Sequence, residues 1–151
     1  MRGVQVAEPR ESARDAARRM SECAVGTLVV VDALRRPLGI LTDRDVVVRC
    51  VAGGLEPART EVAKIMSGPA AWVREGATLD EALDEMARLR VRRLPVVDEH
   101  DRLVGILALD DVLLRSLPGG SALARALRAS LADAGGSEEK DSEEKGSEEN
   151  R

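Results

Sequence analysis

Shifted by 66 residues, the chain lies on itself. Residues 12–49 align with 78–115 without a gap, and 14 of the 38 pairs are identical. The densest stretch sets VVVDALRRPLGILTDRDVVVR (29–49) over PVVDEHDRLVGILALDDVLLR (95–115), with ten of 21 pairs matched. The matches include Asp32 with Asp98, Gly39-Ile40-Leu41 with Gly105-Ile106-Leu107, and Asp45-Val46 with Asp111-Val112. Ungapped similarity on this scale means that one supersecondary unit occurs twice. The 151 residues are therefore read as two small related halves.

Each half reads βαββα. A short extended piece (Val4–Val6; Ala71–Val73) precedes a helix with apolar residues at helical spacing: Ala13, Ala16, Ala17 and Met20, then Leu79, Ala82, Leu83 and Met86. Thr78 and Glu81 form a capping box at the start of the second helix. Two strands follow, Leu28–Val31 and Leu38–Leu41, repeated at Leu94–Val97 and Leu103–Leu107, with polar turns between them. A closing helix is expected over about Asp43–Cys50 and again over about Asp110–Leu117. A unit of about 60 residues buries too little surface alone, so the copies should pack together about a pseudo-twofold. The expected fold class is α+β, of the α/β sandwich type. Residues 1–58 form the first half, and 59–118 the second, which includes a short helix over Glu61–Met66. Residues 119–134 form an amphipathic helix with Leu123, Ala126, Leu127 and Leu131 on one face, and 135–151 an acidic tail expected to be disordered.

Composition removes several functions. The chain lacks Phe and Tyr, and Trp72 is its single aromatic, so the core must be aliphatic and no base-stacking platform can be built. Net charge is −4, and the tail, with seven acids and three bases, carries all of it. A neutral body offers no general attraction to nucleic acid or to a membrane surface. No apolar run approaches the roughly 18 residues of a membrane span, and the first residues lack a signal peptide's apolar region. Cys23 and Cys50 stand apart and read as small core residues of a reduced protein, so a cytoplasmic location is expected.

The run of a Met-ended helix, an apolar-Pro-Val-Val-Asp strand and Gly-Ile-Leu-Thr-x-x-Asp-Val resembles the CBS domain, named after cystathionine β-synthase. The resemblance spans about residues 4–117 in both copies. It implies a Bateman module: a regulatory pair of repeats whose clefts hold adenosine ligands (AMP, ADP, ATP or S-adenosylmethionine), which often forms a homodimer and signals to a regulated protein. No cofactor is required on this reading.

Thr42-Asp43-Arg44-Asp45 lies where a strand meets the following helix. A hydroxyl there can donate to a phosphate or sugar oxygen, and a carboxylate three residues on can accept from ribose hydroxyls, beside helix N–H groups that favour anions. Thr42 and Asp45 resemble the family's phosphate- and ribose-binding positions, with Arg44 in the same turn. The same two residues also suit a helix cap, and both readings stand. The second copy reads Ala108-Leu109-Asp110-Asp111, keeping the carboxylate in Asp111 and losing the hydroxyl. Arg92 and Arg93 resemble basic residues that reach phosphates in the family, including the gamma subunits of AMP-activated protein kinases; taken alone they are two arginines beside a strand. By resemblance the adenine slot would be walled by Val6 and by Gly26 to Leu28, with Ile65 and Met66 near its opening. Gly26, lacking a side chain, permits close approach.

Other classes fare worse. His100 has no partner visible for nucleophilic catalysis, and with Cys23 and Cys50 it makes no convincing zinc set, so neither catalytic nor metal residues are assigned. The rival reading is a module that binds no nucleotide and acts through protein contacts or as a stress-associated dimer.

Overall fold

The structure, a computed structural model, is described over residues 4–133. The acidic tail lies outside the described residues. The strands β1 (Val6–Ala7), β2 (Thr27–Val31) and β3 (Pro37–Thr42) form one sheet, with β1 parallel and β3 antiparallel to the central β2. The second sheet repeats this order with β4 (Val73–Arg74), β5 (Arg93–Val97) and β6 (Leu103–Ala108). The repeat extends to hydrogen-bond register. Thr27 opposite Thr42 becomes Arg93 opposite Ala108, and the irregularity between Val30 and Val31 recurs between Val96 and Val97. The strands extend one or two residues past their expected ends, and β1 and β4 sit slightly later than the sequence suggested.

Both β-turns are built on an aspartate. Asp32 accepts from the N–H groups of Leu34 and Arg36 and from the Arg36 guanidinium; Asp98 does the same with His100 and Arg102. The N–H of Arg36 chiefly holds the Asp32 carboxyl below its ordinary value, and that of Arg102 does so for Asp98.

Ahead of β2 and β5 lie α1 (Ala13–Glu22) and α4 (Leu79–Leu89). Ser12 caps the first, and the expected Thr78–Glu81 capping box closes the second, its bonds holding the Glu81 carboxyl below its ordinary value. Both helices bury the expected stripe, except that Leu79 stands 48% exposed where its counterpart Ala13 is fully covered.

The closing helices differ. In the first copy, α2 begins as one α-helical turn over Asp43–Asp45 and continues with π-helical winding over Val46–Val51. In the second, α5 (Leu109–Ser116) is regular. Val46, Val47 and Val48 are β-branched and crowd the preceding turn of an α-helix, whereas Val112 is followed by Leu113 and Leu114, which do not.

Strand alternation gives each sheet two buried faces. Leu28, Val30 and Leu41 point to the helices with Ala16, Met20 and Cys50, while Val29 and Val31 meet Leu103 of the other copy. The N–H of Leu103 also donates to the carbonyl of Arg35 at 2.8 Å, tying the copies together. Cys50 is buried as expected, but Cys23 is only half-buried.

The linker helix α3 (Val62–Ile65), grouped with the second half on sequence, packs into the first. Val62 and Ile65 are fully buried in its core, and the linker pairs with the approach to α1 through Ala13 N–H to Thr60 O and Val62 N–H to Glu11 O. Finally, α6 (Ala122–Asp133) packs on α5. The face expected to be covered is rotated: Ala124 is buried and Leu127 half-buried, while Leu123 is 57% exposed. A small residue at the contact lets the two helices approach closely, turning the larger leucine outward.

Candidate functional site

The junction of β3 and α2 is organised by a reciprocal cap. Thr42 has extended backbone (φ −113°, ψ 159°), so the chain enters the helix with its side chain free to fold back. Its Oγ1 accepts from the N–H of Asp45 at 3.1 Å and donates to Asp45 Oδ2 at 2.7 Å, and the N–H of Thr42 donates to the same oxygen at 2.9 Å. The capping role read from the sequence is therefore realised. The hydroxyl hydrogen of Thr42 is spent on Asp45, so Thr42 reaches an incoming oxygen only by breaking that bond. Asp45 keeps Oδ1, which lies 3.6 Å from a guanidinium nitrogen of Arg49.

Gly26 lies across the mouth. Its carbonyl accepts from Asp43 N–H at 3.1 Å, and a Cβ built there would meet Asp43 Oδ2 at 3.0 Å. A side chain at this position would therefore need the exposed Asp43 carboxylate to move aside by a few tenths of an ångström. Arg44 is exposed on the same turn.

The other expected wall residues do not converge. Leu28 and Ile65 are closed inside the helix-side core, and Val6 belongs to the cluster between the two copies. Because side chains alternate along a sheet, Val6 and Leu28 fall on opposite faces and cannot wall one slot together. Of the expected wall, Gly26 and Thr27 stay beside Asp43 and Thr42 at this mouth. Met66 is half-buried and packs across Gly39, its Sδ 2.8 Å from where a Cβ would stand.

In the second copy, Ala108 begins α5 with similar backbone (φ −111°, ψ 135°) but no side-chain cap bond. Arg93 sits opposite Ala108 in the sheet, and the carbonyl of Arg92 accepts from Leu109 N–H at 2.9 Å. The two arginines thus belong to the Ala108–Asp111 mouth, so this copy carries cations where the first carries Gly26 and Thr27.

Sequence reasoning missed Arg49. It donates to the carbonyls of Ile65 (2.8 Å) and Met66 (2.7 Å) and to Ser67 Oγ (3.0 Å), while facing Asp45. One guanidinium therefore joins the ribose-acceptor candidate to the carbonyl end of the linker helix, where a cation is favoured. The signal was present, since arginine recurs at the equivalent Arg115.

Among the described residues, no three His, Cys, Asp or Glu side chains gather where they could hold a metal ion, and no helix is long and apolar enough to cross a membrane.

Comparison with known proteins gives a consistent result. The family profile described as "CBS domain" matches residues 1–51 and 62–117. An uncharacterised protein of Methanopyrus kandleri is 37% identical over 112 residues, covering 74% of this chain and 57% of that protein. Hypoxic response protein 1 of Mycobacterium tuberculosis is 36% identical over 116 residues, covering 77% of this chain and 80% of that protein. A crystal structure of hypoxic response protein I with two coordinated zinc ions superposes with a TM-score of 0.68 at 36% identity, covering 77% of this chain and 92% of that one. The cytosolic domain of the Mg2+ channel MgtE, solved in complex with ATP, gives a TM-score of 0.63 at 33% identity, covering 73% of this chain and 44% of that one.

Proposed function

The chain belongs to the CBS-domain family, as a tandem pair, and on that footing we propose that it is a regulatory module that binds an adenosine-containing ligand at the Thr42–Asp45 mouth and signals to a protein partner. The observation that carries this reading is the half-buried Asp45 carboxylate. One of its oxygens is fixed by the cap, and the other is left beside Arg49 at an α-helix start faced by glycine backbone. That oxygen suits a pair of ribose hydroxyls, each able to donate to a charged acceptor. The relative solved in complex with ATP supports the ligand class. The zinc of the other relative is not carried over, because the described residues gather no such ligand set.

The reading is regulatory rather than catalytic, with a cytoplasmic location and a homodimer. Val47, Val48 and Val51 of α2, each more than half exposed, form the apolar face that a second copy would cover. A ligand-free interaction module remains the second reading, favoured by one observation: Thr42 and Asp45 already satisfy much of each other's bonding capacity.

Titration calorimetry of the full chain against adenosine, AMP, ADP, ATP and S-adenosylmethionine tests the proposal, with light scattering on the same samples. Heat with one ligand per chain and a dimeric mass is the expected outcome. Silence towards every ligand at millimolar concentration transfers the function to the interaction module.

A further inference from the structure

In the first copy the linker fills a groove made by α1, α2 and the outer edge of β3. Val62 and Ile65 enter the core, Arg49 takes the carbonyls of Ile65 and Met66, and Ser67 pairs with Ile40 through N–H···O bonds of 2.9 and 2.8 Å. Gly39 is needed there, because a Cβ would come within 2.7 Å of Ser67 O and 2.8 Å of Met66 Sδ.

Among the described residues, the second copy keeps the receiving half of this arrangement with no segment paired to its β6 edge. The Arg115 side chain, at the position of Arg49, has no hydrogen bond or ion pair among the described residues. Among them, too, β6 pairs with β5 and no segment bonds Ile106 at the position of Ile40. Leu79 is exposed where Ala13 is covered, and Leu107 is half-buried where Leu41 is closed off. Gly105 is the sharpest sign. A Cβ built on it would meet only Val96 side-chain carbons, at 3.6 and 3.9 Å, and its φ is not left-handed, so nothing within the described chain requires glycine there. The helix α6 packs on α5, but its side-chain hydrogen bonds return to its own approach at Ser121, Gly120 and Gly119 and reach neither β6 nor Arg115.

We propose that the groove of the second copy, between α4, α5 and the outer edge of β6, is a docking site for a peptide segment of a partner protein with the chemistry of this chain's own linker. The occupant is one helical turn carrying two aliphatic residues three apart, followed by an extended residue that adds to the β6 edge. Charge complementarity selects it. The Arg115 guanidinium, unpaired among the described residues, matches the negative carbonyl end of a helix, as Arg49 does in the first copy. The β6 edge supplies main-chain bonds of the strand-addition kind, and Gly105 leaves room for the side chain that Met66 places over Gly39.

The test uses a labelled synthetic peptide with the sequence of residues 59–69, RTEVAKIMSGP, titrated into the full chain with fluorescence polarisation as the readout. Its own tethered linker holds the first groove at high effective concentration, so the free peptide reports on the second. Saturable binding is expected, weakened roughly tenfold or more by Arg115→Ala, the loss expected for charge-assisted hydrogen bonds. Gly105→Leu should abolish it, while Gly105→Ala confirms that the unliganded chain tolerates a Cβ by melting unchanged. An Ile65→Asp peptide should not bind. Absence of binding to the full chain overturns the proposal and makes α6 the groove's own cover. Binding indifferent to both Arg115→Ala and Gly105→Leu overturns it too, since the peptide then sits elsewhere. A peptide-free dimer that Gly105→Leu dissociates would also overturn it, in favour of a second copy as occupant.

Discussion

The two copies share a backbone and differ in what covers it. Strand order, register, the β2–β3 and β5–β6 irregularities and both aspartate turns recur at the 66-residue offset. Yet Leu41 is sealed and Leu107 is not, Arg49 has its linker carbonyls and Arg115 has none, and Thr42 caps its helix where Ala108 cannot. Alternating apolar residues and turn chemistry are enough to set a sheet, and both halves have them. Closing the helix-side core takes a segment lying outside the repeat: the linker enters the first core and pairs with β3, whereas the second half receives α6 on α5 and keeps Leu107 half-buried. The copies are therefore equal in folding pattern and unequal in finish, and the unfinished half has surface to offer.

The largest expected effect breaks this comparison at its centre. Leu41→Ala opens a cavity in a sealed core and should destabilise by about 2–5 kcal/mol. Leu107→Ala removes the same atoms from a half-buried site and should cost no more than about 1.5 kcal/mol, the transfer value without a full cavity. Urea unfolding of the matched pair decides it. Equal losses would show that the second core is as closed as the first.

Much of this was legible in the sequence. The 66-residue offset located both sheets, and helical spacing found the buried faces of α1 and α4 apart from Leu79. The Thr78–Glu81 box was read correctly. What could not be read depends on contacts between distant parts. The linker helix goes with the second repeat in the family match yet packs in the first core, and sequence order says nothing about which core Val62 and Ile65 enter. The rotation of α6 depends on the surface of α5. Ala24, Arg35 and Arg90 take left-handed backbone although their residue types do not favour it, and only Asp101, the counterpart of Arg35, is of a type enriched there. At the site, Thr42 and Asp45 were found together because a cap and a ribose acceptor ask for the same residue types. The expected apolar wall drew on Val6 and Leu28, whose side chains fall on opposite sheet faces, a point that residue type alone does not show.

A second break concerns binding. If the first mouth is the adenosine site, Asp45→Ala should weaken the ligand by about 1.5–3 kcal/mol, roughly tenfold to a hundredfold, whereas Asp111→Ala leaves that affinity unchanged. Asp45 also completes the cap on α2, so the melting temperature of each variant without ligand must accompany the titration. A folded Asp45→Ala chain that binds like wild type would remove the site from this mouth. A loss with Asp111→Ala instead would move it to the copy that carries Arg92 and Arg93.

The smallest effect sharpens the comparison by repairing one difference. Ala108 already has the extended backbone of an N-cap, and Asp111 stands three residues on, as Asp45 does after Thr42. Ala108→Thr therefore supplies the missing hydroxyl to a turn that needs no rearrangement, and its Oγ1 should accept from the N–H of Asp111. A cap of this kind contributes about 1 kcal/mol. The gain should appear in the unliganded chain as a rise in the urea midpoint at constant slope. Its effect on binding separates the two roles of the motif. If a cap alone makes a mouth competent, stoichiometry rises from one ligand per chain towards two. If stability rises and stoichiometry does not, competence depends on the cover that Arg49 and the linker bring to the first copy, and the hydroxyl at this position serves the helix.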